Sequence, residues 1–345
     1  MAGSRREIKR RIEIAGSVTM MHPEWETAAD ASGVPWSNQT AKDIKEKRRG
    51  AHRICTACQG TETEDNFYKV CSRCKNRFYC SRECQTRDWP EHKEICHATT
   101  RQKRFEKLVT SLLANVDLMA YLKIAVVLSL KLLDAIPISE PWSLLVRLGI
   151  EPENILDFAR LRGDIDPVGT SEPLESKKMK GMLQINAICP CTPDFLDKET
   201  KIAIAQPKRT AADAVGFNWE SPVGVMVFVL GDSRTVLQVP ILIATPFMDI
   251  ARERPPFTRT ITVTKTSSTV PMTASSCIEY VNAIIRQDKP NRCLLRAEMS
   301  AADKKIIRNS GVVSEPLQEV TRTAIGYLKG RMLHECVYSA CGNKE

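Results

Sequence analysis

Eight side chains between residues 55 and 96 carry the chemistry this sequence can do: Cys55, Cys58, Cys71, Cys74, Cys80, Cys84, His92 and Cys96. Their spacing is C-x2-C, twelve residues, C-x2-C, five residues, C-x3-C, seven residues, H-x3-C. Seven thiols and one imidazole fill two four-ligand sites with none left over, and a closed tetrahedral N/S site is what structural zinc takes. A segment this short cannot fold on an apolar core alone, so metal is the expected staple. Each structural zinc supplies about 10–16 kcal/mol of apparent free energy, and its binding is then inseparable from folding. Two Zn2+ are therefore the expected cofactors.

The elements needed to aim these ligands follow from the spacing. C-x2-C makes a tight knuckle that points two thiolates at one ion. C-x3-C and H-x3-C put their ligands at i and i+4, one turn apart on one face of a helix. Ser81-Arg82-Glu83 suits one such helix, and Glu91 to Ile95 suits another, with Pro90 in its first turn. The pattern predicts two knuckles followed by two short helices. Disulfides are the competing use of these thiols, but the flanks are rich in Lys and Arg and no apolar leader precedes them, which favours a reducing compartment. Spacing alone permits either a sequential or an interleaved division into two sites.

Non-ligand residues narrow the choice. Phe78-Tyr79 precedes Cys80, Gln85 follows Cys84, and Trp89 lies three residues before His92. With the ligand spacing, these residues make Cys55–Cys96 closely resemble a MYND zinc finger. The resemblance implies interleaved sites: Cys55, Cys58, Cys80 and Cys84 hold zinc 1, and Cys71, Cys74, His92 and Cys96 hold zinc 2. It also implies a shallow groove for proline-containing partner peptides, often from corepressors, and hence a role in transcriptional regulation. Gln85 and Trp89 are the candidates for that groove, one offering an amide and the other a flat ring. The bland alternatives are Trp89 as a core residue of the finger and Gln85 as merely exposed.

Enzymes with such a finger are best known as SET-domain lysine methyltransferases. They would require half a catalytic fold before residue 55 and an Asn-His-Ser-Cys-like motif after it, and this chain has neither. It also lacks G-x-S-x-G, a P-loop, G-x-G-x-x-G and H-E-x-x-H. Beyond residue 100 the one histidine is His334, so a pair of histidines working as acid and base is excluded there. No enzyme is expected; one built from carboxylates or lysines is the residual alternative.

The 345 residues, 43% of them hydrophobic, suffice for about two domains. Residues 1–50 read as a mostly disordered arm with basic clusters at Arg5–Arg11 and Lys42–Arg49. Residues 51–98 are the finger, and 101–335 read as an α+β domain with a mixed sheet. There the sequence predicts helix over 101–134 and strands at 142–150, 182–188, 259–266 and 293–296. Helices are predicted at 151–161, from Thr192-Pro193-Asp194, from Pro207, and at 275–287, 300–309 and 316–333. Val223–Ile243 reads as helix or strand, a turn, then strand. Runs at Asn115–Lys123, Gly181–Ile188 and Asp288–Asn291 are similar to a domain that follows the MYND finger in fungal proteins, with no activity implied. Cys189, Cys191, Cys277 and Cys293 read as incidental or buried thiols, and His334, Cys336 and Cys341 as too few for a third closed site. The net charge of +9 permits nucleic-acid contact through the basic arm without demanding it, and aromatics are only 6%. No run reads as a membrane span, so the expected location is nucleus or cytoplasm, and the expected partners are proteins.

Overall fold

In the computed structural model, the residues described are 18–21, 39–50, 55–58, 60, 62, 67–74, 77–96, 100–134, 142–165, 178–191, 222–233, 236–261, 264–311 and 316–338. Within the arm expected to be mostly disordered, Val18–Met21 form strand β1 and Ala41–Gly50 form helix α1. The finger contributes two-residue strands β2 (Lys69–Val70) and β3 (Phe78–Tyr79) and one helix, α2 (Arg82–Ile95).

The larger domain opens with α3 (Thr100–Ala114) and α4 (Val116–Ser129). The sequence predicts one unbroken helix here; instead the axis turns by 87° at Asn115. Asn115 adopts an extended conformation and its side chain accepts from the Leu118 amide, an N-cap that starts α4 afresh. Gln39 stitches the break from outside. Its Nε2 donates to the Ala114 carbonyl at 2.8 Å, and its Oε1 accepts from the Val116 amide at 3.1 Å. Ile44 of α1 is buried, and α1 packs on α3.

A five-stranded sheet forms the centre, in the order β10-β5-β4-β6-β7. Its strands are β4 (Trp142–Pro152), β5 (Lys180–Pro190), β6 (Val223–Leu230), β7 (Val236–Leu242) and β10 (Arg296–Glu298). β4 and β6 run parallel and every other pair is antiparallel, so the sheet is mixed and the fold α+β. β6 settles as strand because it is buried along its whole length and its β-branched valines suit a doubly covered sheet position. The expected strand 259–266 is a hairpin instead. β8 (Phe257–Ile261) pairs with β9 (Thr266–Val270), and Lys265 takes a positive φ of 55° in the turn between them. β1 pairs antiparallel with the other edge of β8.

Helices α5 (Ile155–Arg162), α6 (Thr245–Glu253), α7 (Ala274–Gln287), α8 (Ala301–Gly311) and α9 (Glu319–His334) complete the domain. The predicted strand at 293–296 is a turn that leads into β10, because Asp288 accepts from the Arg292 and Cys293 amides and holds the chain in a loop. Helix starts expected near 192 and 207, and most of the loop at 163–178, lie outside the described residues.

One buried polar network joins these layers. Arg286 donates to Glu335 and Gln184, Arg331 donates to Gln184 and Tyr338, and Asn282 donates to Glu335. Glu151 of β4 closes the network against Arg331 and Tyr338. Among the described residues, no single helix is long and apolar enough to cross a membrane.

Candidate metal centre

Both knuckles are turns, and backbone bonds hold them: the Cys55 amide donates to the Gly60 carbonyl and the Cys71 amide to the Arg77 carbonyl. The β2–β3 pair brings the second knuckle beside Cys80. Ser81 caps α2 by accepting from the Cys84 amide at 3.2 Å. The two short helices expected from the sequence are a single helix that carries Cys84 and His92 on its body and ends at Cys96. Pro90 therefore sits inside a helix, where it removes a backbone bond at a cost of about 3 kcal/mol. A zinc on each end of α2 supplies several times that, which explains why the helix continues.

The ligand atoms of Cys55, Cys58, Cys80 and Cys84 all lie within 4.8 Å of one another, and so do those of Cys71, Cys74, His92 and Cys96. The division is thus interleaved. Cys58 and Cys84 each stand 3.5 Å from Cys80, sulfur to sulfur, and Cys71 stands 3.7 Å from Cys96. Disulfides would need about 2.05 Å. A tetrahedron around zinc with Zn–S near 2.3 Å has S···S edges of about 3.8 Å, so the spacing suits a shared ion. The imidazole fits as well, with His92 Nε2 at 3.2 Å from Cys74 Sγ.

His92 is buried, and its other nitrogen is committed. Nδ1 lies 2.7 Å from the Tyr79 hydroxyl, which donates onward to Asp88 Oδ2 at 2.5 Å. This chain fixes the tautomer with the proton on Nδ1 and leaves Nε2 free to bind metal. Burial, with Arg77 nearby, holds the imidazole below its ordinary pKa against the pull of Asp88, so it is neutral as a ligand must be. Burial pushes the Tyr79 phenol up, and the bond to Asp88 pushes it further, so it stays a donor. In the first tetrad burial raises the Cys55 thiol, but backbone bonds at Cys80, Cys58 and Ala57 outweigh it and bring the thiol down to about 6. The Cys80 thiol is pushed up to about 12 by its bonds to Cys84 and Cys58. Crowded thiols share protons in this way, and a divalent cation is what replaces those protons. Arg87 spans the site, donating to the Ala57 carbonyl at 3.1 Å and to Cys84 Sγ at 3.6 Å, which places positive charge beside a four-thiolate site.

Asp88 and Arg87 were not singled out from the sequence, and Tyr79 was noted there only as part of the resemblance, without this role. The available signal was Asp88 at i−4 from His92, one turn back on the same helix. The exposed basic residues Lys42, Lys45 and Lys47 lie along α1, where Lys42 pairs with Glu46 at 3.8 Å.

Two interleaved tetrads on a knuckle pair, a hairpin and one helix define the zinc-binding module of MYND type, a class of module that binds protein partners. The MYND finger family matches residues 55–96. Over the finger, the chain is 44% identical across 45 residues to the "Zinc finger MYND domain-containing protein 10 homolog" of Drosophila melanogaster, covering 13% of this chain and 9% of that protein. It is likewise 44% identical across 50 residues to the "N-lysine methyltransferase SMYD2" of Gallus gallus, covering 14% and 10%. The chain thus spans about a tenth of these relatives, and the likeness to the methyltransferase covers the finger alone. No solved structure matches. Residues 100–338, most of the chain, match the family described as Domain of unknown function (DUF8205). The chain belongs to that family, with a two-zinc MYND finger ahead of the family domain.

Proposed function

We propose that this protein is a zinc-stapled adaptor whose finger docks proline-containing peptides of partner proteins on the face of α2 that carries Gln85 and Trp89, in the nucleus or cytoplasm and within transcriptional regulation. The observation that carries the reading is the exposure of Trp89. A large aromatic left 39% exposed on a module this small offers ring area to a partner and supports the docking role. Its ring meets His92 edge-on at 5.5 Å, so the zinc 2 site holds it in place. Gln85 lies four residues earlier on the same helix and is half-buried. Phe67 and Val70 are further exposed apolar side chains of the finger. A proline ring can stack on the indole while the Gln85 amide bonds the extended peptide backbone, which has no internal partners.

The test is titration of the zinc-loaded protein with a panel of fluorescent proline-containing peptides. Trp89→Ala should retain two zinc ions per chain and lose roughly 30-fold or more in affinity, as for a buried aromatic anchor. Unchanged binding by Trp89→Ala would refute the assignment of the groove.

A further inference from the structure

The larger domain holds a cleft of about 530 Å3, walled by β5, the end of β9, the start of α7 and α9. Its size lies within the range of small-molecule sites. Four charged side chains in it have opposite-charge partners, although the Nε atoms of Arg259 and Arg331 are buried without a hydrogen-bond partner and His334 also lines the cleft. Arg259 bonds Glu279 at 2.6 Å, Glu335 pairs with Arg286 at 2.8 Å, and Arg331 is held by Glu151, Gln184 and Tyr338. A ligand with net charge would find no unmatched counter-charge among these four residues.

Three features around the cleft cost stability, and packing among the described residues does not require them. First, Gly326 and Gly330 stand one turn apart on α9 and line the cleft, and a Cβ on either would meet nothing within 4 Å. Glycine inside a helix is less stable than alanine, so a bare wall with no packing reason suits the close approach of a flat molecule. Second, the β4–β5 register shifts between Arg147 and Leu148, opposite Ala187 and Ile185, which makes Asn186 the extra residue of a β-bulge. Bulges re-aim side chains and recur beside functional sites. The Asn186 amide occupies the space where a Cβ on Gly149 would be, with Nδ2 at 2.7 Å from that position, so a central strand keeps a glycine to admit it. Third, the Asn186 carbonyl oxygen is buried with no hydrogen-bond partner. An orphan acceptor of this kind calls for a donor. The remaining lining includes the apolar Ile188 and Ile278 and the hydroxyls of Ser129, Thr273 and Ser275. Tyr327, also in the wall, carries the Arg147 guanidinium over its ring at 5.2 Å.

We propose that this cleft binds a small uncharged heterocycle of nucleoside type. Its ring lies against the bare glycine face of α9, a ring N–H or amino group takes Asn186 Oδ1 as acceptor once that amide turns from its place against Gly149 into the cleft, and its hydroxyls meet the Ser and Thr groups at the rim. The site is separate from the finger and does not depend on how the finger is read.

The test uses the full zinc-loaded chain, with adenosine, guanosine, uridine and cytidine as probes in saturation-transfer NMR and calorimetry, and with AMP and spermidine as charged comparators. At least one nucleoside should bind, and neither comparator should bind more tightly. Gly330→Leu should weaken binding by about ten-fold or more while the protein still melts cooperatively, since the added side chain enters open space. Asn186→Ala should weaken binding by about ten-fold, the worth of a hydrogen bond made in a dry site. Binding by none of the four nucleosides overturns the proposal. So does binding that ignores Gly330→Leu, or a preference for AMP or spermidine, which would mark a charged ligand.

Discussion

Replacing Tyr79 with Phe isolates the second layer of the zinc 2 site. The ring keeps its shape and only the hydroxyl is lost, so the core of the finger gains no sizeable cavity. Two bonds disappear, the one at 2.7 Å to His92 Nδ1 and the one at 2.5 Å to Asp88. Asp88 Oδ2 lies 3.6 Å from Nδ1, too far to take over without movement, and Asp88 keeps its contact with Arg77 at 3.4 Å. A buried donor left without a partner costs about 1–3 kcal/mol. Loss of a metal ligand's outer partner costs about 10–100-fold in affinity, or about 1.4–2.7 kcal/mol. The two estimates agree. Both are small beside the roughly 10–16 kcal/mol of the ion itself, so the variant stays folded when zinc is plentiful. Competition with a chromogenic chelator then separates the sites. Cys58 makes the zinc 1 site the more accessible of the two, whereas all four zinc 2 ligands are buried. The first release step should not move, and the second should move to about 10–100-fold less chelator, with the His92 ring nitrogens followed by NMR to assign it. If neither step moves, or both move together, the relay from Asp88 through Tyr79 to His92 does not orient the ligand.

Two further outcomes follow from the larger domain. Gly330→Ala should stabilise it by about 0.5–1 kcal/mol, read as a Tm raised by about 2–4 °C per kcal/mol; a lowered Tm would mean that the open space beside α9 is not open. Gln39→Ala should destabilise it by about 1–2 kcal/mol in urea melts, because the Ala114 carbonyl and the Val116 amide lose their shared partner; an unchanged midpoint would show that the arm only rests on the domain.

What the sequence revealed depended on how local the physics was. Knuckles and closely spaced ligand pairs are set within five residues, so the ligands were legible, but the expected helical pairs were not borne out: Cys80 lies before the N-cap Ser81 and Cys96 is the C-cap, so only one ligand of each pair sits within α2. The unity of α2 was not legible: the helix runs through Pro90, and a zinc held at each end of it would outweigh the backbone bond that Pro90 removes. α1 and β1 were missed for a related reason. A helix that buries chiefly Ile44, and a strand whose ladder belongs to β8, carry little apolar pattern of their own. The bend at Asn115 is a third case: an asparagine within an apolar run is a weak stop signal until its side chain is seen capping α4 and Gln39 is seen bonding both sides of the break.

The three runs that resemble a known second domain can now be sorted by what their polar residues do. Asn115 caps α4 and donates to Cys293 Sγ at 3.2 Å. Asp288 bonds the two amides that shape the loop before β10, and Asn291 accepts from the Arg296 amide at 3.1 Å. Gln184 accepts from Arg286 and Arg331 in the buried network. Each of these side chains is satisfied by the protein, and each ties one element to another, so its identity is explained by folding alone. Asn186 belongs to the same run as Gln184 and differs on every count: it is extra to the ladder, it needs Gly149 to fit, and its carbonyl oxygen is left with nothing to accept from. Folding stability selects against such a residue. Other buried side chains, Asn309 among them, also hold unpartnered polar atoms, so it is the bulge and the glycine that admits it, beside an open cleft, that favour a ligand-facing role for Asn186.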